Sequence, residues 1–88
     1  TMDEFADVVD RILNTYTRRW PGNIIDLVFL AIEQNEYYLK RYHEFADGDY
    51  ATTNSMIGRY VKDFTGMNSV KEMGKPQSTL IKNYTLLE

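Results

Sequence analysis

The sequence predicts an all-α fold, a small bundle of four to five helices around a central hydrophobic helix at about residues 24–34. Three observations carry that prediction. Phe5, Val9, Ile12, Tyr16 and Trp20 recur at helical spacing. The run Ile24 to Ile32 is apolar almost all round, as in a helix packed on more than one side. A chain of 88 residues with 43% hydrophobic and 26% charged content supports one domain, residues 1–88, with a single modest core.

The first helix is expected to run from Thr1 to Trp20. Thr1 and Glu4 have capping-box spacing. Asp3 and Glu4 suit the positive end of the helix dipole, and Arg18 and Arg19 the negative end. Pro21 disfavours helical geometry at Trp20, and Gly22 completes the stop. Asn23 is the expected cap of the central helix. A continued helical period through Tyr37, Tyr38, Leu39, Tyr42, Phe45 and Ala46 allows one long helix over 24–46. Asn35 interrupts that stripe, however, and a break there with a new helix from Glu36 is favoured. Asp47-Gly48-Asp49 is a turn signal.

Thr53 or Asn54 is expected to cap the next helix, with Ile57, Tyr60, Val61 and Phe64 on its inner face. Gly66 fits the left-handed residue past its end, and Met67 the accompanying apolar contact. Asn68 to Gln77 reads as loop. Two conformations compete for the tail. Ser78 can cap a short helix carrying Leu80, Ile81, Tyr84 and Leu87, which is preferred. Alternatively, Val70–Met73 and the tail form a short C-terminal hairpin across the Gly74–Gln77 turn. Leu87-Glu88 matches a dipeptide that joins expressed domains to purification tags, so Glu88 is given no functional weight.

Composition and spacing narrow the functional classes. With no cysteine, disulfides, thiolate metal sites and cysteine nucleophiles are excluded. His43 is the one histidine, so no metal site is expected. Asp47-Gly48-Asp49 resembles a fragment of a calcium loop but lacks the closing glutamate. Ser55, Ser69 and Ser78 lie in no nucleophile-elbow context, and no glycine pattern is suited to cradling phosphate. The acid pairs Asp3/Asp7 and Asp7/Asp10 read as solvated helix face. A non-enzymatic protein without cofactor is expected. The apolar run is too short to span a bilayer, and no basic-plus-apolar leader is read, so a cytoplasmic setting is expected.

Recognition is what remains. Tyr37 and Tyr38 differ by about a hundred degrees around a helix, so at least one faces outward. Trp20 beside Pro21 is of a type frequent among binding hot spots. Trp20, Tyr37 and Tyr38 are therefore the candidate contacts of an interaction module that docks a protein partner or a second copy of itself. Charge supports an alternative. Residues 1–49 carry ten acids against five bases, −5, while residues 50–88 carry three acids against five bases, +2.

Ala51 to Met67, opening with small polar residues, is superficially similar to the second helix of a helix-turn-helix motif. That resemblance implies a nucleic-acid-binding module in which Asn54, Arg59 and Lys62 lie along the exposed side. A hairpin tail would add Lys71, Lys75 and Lys82 as a wing. The long turn over 47–52 and the net charge of −3 depart from the motif and weaken affinity for phosphates. Protein docking is the preferred reading.

Overall fold

The computed structural model describes residues 1–67 and 76–81. Within them the protein is all-helical. It comprises α1 (Ala6–Leu13), α2 (Ile24–Glu33), α3 (Glu36–Ala46) and α4 (Tyr50–Thr65), with 3₁₀ turns at Met2–Glu4 and Thr79–Ile81. As the apolar run predicts, α2 is central. It packs against α1, α3, α4 and the turn at Thr79–Ile81. Its Ile24, Ile25, Val28, Phe29 and Ile32 are buried together with Phe5, Val8, Val9, Ile12 and Leu13. Tyr42, Ile57, Val61 and Ile81 close the core from the other side of the bundle.

The break at Asn35 is real. Its side chain accepts from the Tyr38 amide at 3.0 Å, starting α3 afresh after α2 has ended. Asp47 and Gly48 then take positive φ of 48° and 89°, which turns the chain sharply towards α4. Gly66, at φ 69°, ends α4 as its spacing predicts, and Met67 packs on the core.

Several boundaries differ from the sequence expectation. The first helix stops at Leu13 instead of Trp20. Two carbonyls are diverted there: Thr15 Oγ1 donates to Ile12 O at 2.7 Å, and Trp20 Nε1 donates to Leu13 O at 3.1 Å. In a continuing helix those oxygens would accept from Tyr16 and Thr17 amides. Arg18 and Arg19 consequently lie in the connection to α2, outside any helix. Glu4 does reach back, to the Thr1 nitrogen at 3.2 Å, but across a 3₁₀ turn that precedes α1.

Asn23 makes no side-chain cap. Neither Thr53 nor Asn54 caps α4: Asp49 does, accepting from the Thr52 amide at 3.1 Å, and Thr53 and Asn54 are buried inside the helix. The earlier start brings Tyr50 to within 5.6 Å of the Tyr42 ring, so packing favours the upstream cap. In the tail, Ser78 Oγ accepts from the Leu80 amide at 3.1 Å and begins a 3₁₀ turn. The alternative strand expected at 70–73, residues 82–88 of the tail and the lysines at 71, 75 and 82 lie outside the described residues.

A polar clasp secures that turn. Asp26, 1% exposed, accepts from the Gln77 and Ser78 amides at 2.8 and 3.0 Å. Glu33 accepts from Ser78 Oγ and the Thr79 amide, both at 2.9 Å. The Ser78 hydroxyl, helped by the Thr79 amide, holds the Glu33 carboxyl below its usual range. Both acids come from α2. The central helix thus supplies apolar surface to the core and polar anchors to the segment at its flank.

Candidate functional site

Trp20 is fixed at both ends. Its indole N–H is committed to Leu13 O, and its ring meets Phe64 edge-on at 5.9 Å and 79°. Phe64 sits in the last turn of α4, 38% exposed, with Tyr60 one turn behind it at 6.2 Å. This corrects the expected placement of Phe64 on the inner face of α4. It lies at the edge of that face, where the neighbouring Trp20 ring covers only part of it. In the last residue of α4, Thr65 Oγ1 donates to Val61 O at 2.8 Å and accepts from the Met67 amide at 3.2 Å. That pair of bonds and the left-handed Gly66 aim Met67 back towards the tryptophan.

Between the connection to α2 and the end of α4 lies an open recess of about 540 Å³. Arg19, Trp20, Pro21, Gly22, Thr65 and Met67 line it. The volume falls within the range of pockets that bury a ligand or a few side chains. Its walls combine an aromatic ring, a proline ring and a thioether with Thr65, and Arg19 is the one charged lining residue among the described residues. Aromatic residues, methionine and arginine are enriched where protein surfaces meet. Trp20 and Pro21 gave the signal for this surface in sequence. Phe64 and Met67 were assigned to core and cap, and Arg19 to the helix dipole, because the fold-back that joins them to Trp20 has no local signature.

The tyrosine pair forms a separate cluster. Tyr37 is 58% exposed, and Tyr38 is half-buried against the core, with ring centroids 6.2 Å apart. Arg41 lies over the Tyr37 ring at 5.8 Å. The same guanidinium donates to both Asp7 carboxylate oxygens, at 3.0 and 2.8 Å, and to Glu4 O at 2.9 Å. This bidentate bond holds the Asp7 carboxyl below its usual range and stabilises the charged guanidinium. Tyr37 thereby covers a clamp between α1 and α3, beside a shallow recess of about 190 Å³ lined by Glu4, Arg41, Glu44 and Phe45.

Of the nucleic-acid reading's residues, Asn54, Arg59 and Lys62 lie within the described segments, and Asn54 does not share an exposed face with the other two. Arg59 is exposed and Lys62 half-buried, but Asn54 is only 6% exposed. Its Oδ1 accepts from Tyr42 Oη at 2.7 Å, and its Nδ2 donates to Leu80 O at 3.0 Å. Both ends of the amide are occupied inside the fold, which corrects its expected position along the exposed side of α4. Lys71, Lys75 and Lys82 fall outside the described residues.

Among the described residues, no group of three or more histidine, aspartate or glutamate side chains is placed to hold a metal ion. No helix there is long and apolar enough to cross a membrane. Comparison with known proteins found no matching family, no matching curated protein and no matching solved structure.

Proposed function

We propose that this protein is a non-catalytic helical interaction module of the cytoplasm that docks a protein partner in the recess beside Trp20. The carrying observation is the fixed indole at the wall of an open recess, with the partly exposed Phe64 packed edge-on against the same ring. A side chain already held by a hydrogen bond and a ring contact loses little freedom on binding, so its apolar area contributes to affinity with small entropic cost. The nucleic-acid alternative has less support. Among the described residues it relies on Arg59 and Lys62, while the amide of Asn54 is engaged in the core. Tracking several phosphates needs more cations on one surface.

Trp20 is the single tryptophan, so its emission reports on the recess alone. Selection from a random peptide library is expected to yield binders that shift Trp20 fluorescence and lose affinity on Met67→Gln. Binders that leave Trp20 emission untouched, or that ignore Met67→Gln and Phe64→Ser alike, would remove the recess from this role.

A further inference from the structure

Resting on the docking reading, we infer that the occupant of the Trp20 recess is a short protein segment carrying a carboxylate beside its apolar side chains. Two of the five arginines, Arg41 and Arg19, have different fates. Arg41 is used internally, its fork closed on Asp7 and Glu4 O. Arg19 lines the recess, is exposed, and makes no ion pair among the described residues. A guanidinium presents a planar fork matched to a carboxylate, and it is less strongly hydrated than an ammonium, so it suits a contact that must be partly desolvated. Exposed Arg18 adds a second positive charge next to it in the chain.

Among the described residues, opposing charges near the recess are weaker or outside its lining. The end of α4 at Thr65 borders the recess and carries the negative end of a helix dipole, about half a unit charge against the full charge of Arg19. Asp63 is exposed one residue before Phe64, but it is not among the lining residues. A nucleic-acid strand shares the negative charge yet fits less well. It needs a row of cations along the backbone. Among the described residues one cation lines the recess. Apolar side chains of Trp20, Pro21 and Met67 beside one arginine among the described lining residues match an acidic, apolar peptide.

The test uses three fluorescein-labelled peptides with identical leucine and phenylalanine positions and with glutamate, glutamine or lysine between them. A labelled single-stranded oligonucleotide is the fourth probe. Anisotropy titrations at low and high salt are expected to rank glutamate above glutamine above lysine, the extremes differing by about tenfold or more at low salt. Arg19→Glu, at an exposed position outside any helix, is expected to reverse that order while leaving thermal stability unchanged. Equal affinity for all three peptides, an unchanged order in Arg19→Glu, no binding of the glutamate peptide, or tighter binding of the oligonucleotide would each overturn the inference. Equal affinities that Met67→Gln still weakens would leave the docking reading standing. Affinities that Met67→Gln and Phe64→Ser both leave unchanged would remove the docking reading as well.

Discussion

The hydroxyl of Tyr42 is buried and has a buried acceptor, Asn54 Oδ1, so its value is set by what is left behind when it goes. Tyr42→Phe strands an amide oxygen in the core, a loss of about 1–3 kcal/mol. Asn54→Ala strands the hydroxyl and also releases Leu80 O. Because the two share a bond, the double variant is expected to lose less stability than the sum of the singles, measured as a double-mutant cycle in urea.

The same burial pushes the Tyr42 phenol up to about 12, and the hydrogen bond to Asp10 does the same for Tyr60. Both groups hold their protons more tightly folded than unfolded. Their contribution is therefore complete below the usual value of 10 and disappears as pH climbs from 10 towards 12. Urea midpoints should fall across that window, and Tyr42→Phe should fall less steeply than the parent. An equal slope in both proteins would mean that the Tyr42 phenol titrates normally.

At the level of elements, the clasp on α2 makes the sharpest prediction. A carboxylate at position 26 accepts from two amides at once, whereas an asparagine offers one oxygen and turns an N–H2 towards the other donor. Asp26→Asn is expected to cost about 2–3 kcal/mol, and Glu33→Gln less, since Glu33 is only partly buried. Hydrogen exchange should locate the damage, with protection lost first at the Gln77, Ser78 and Thr79 amides. Protection retained there in both variants would show that apolar contacts of Ile81 alone hold the segment. Acid tests the clasp without mutation. The Glu33 carboxyl is held below its usual 4.5, so its stabilisation is present above that value and is lost as pH falls through the lowered one.

These elements also mark where sequence reasoning stops. The central helix, the restart at Asn35, the turn at Asp47–Asp49 and the stop at Gly66 were all legible, because each rests on neighbours within a turn or two. The end of α1 was not. It depends on an indole seven residues away returning to Leu13 O. The role of Asp26 depends on Ser78, 52 residues distant, and that of Asn54 on Leu80, 26 residues distant. In sequence Asn54 looks like a helix cap, since short polar side chains suit caps as well as buried anchors. The candidate site divides the same way. Trp20 stood out by type, while Phe64 and Met67 joined it only through the fold-back of the 14–23 connection.

For the molecule as a whole, one small core has to offset the conformational entropy of a short chain. Domains are stable by roughly 0.05–0.15 kcal/mol per residue. For 88 residues that is a net of about 4–13 kcal/mol. Phe29 lies at the centre of that core, fully buried on the helix that every other α-helix touches, with the Tyr42 ring edge-on at 6.5 Å. Truncating a buried phenylalanine removes its transfer energy and leaves a cavity, together about 3–5 kcal/mol. Phe29→Ala therefore takes a large part of the total, and the variant is expected to melt far below the parent or fail to fold, by far-UV circular dichroism. Tyr37→Ala is the matched control. It removes an aromatic ring of similar size from a position 58% exposed and is expected to shift stability by less than about 1 kcal/mol. Comparable melting temperatures for the two variants would mean that α2 is not the centre of the packing. The Asp26–Ser78 clasp, built on the first turn of that helix, would then lose its foundation.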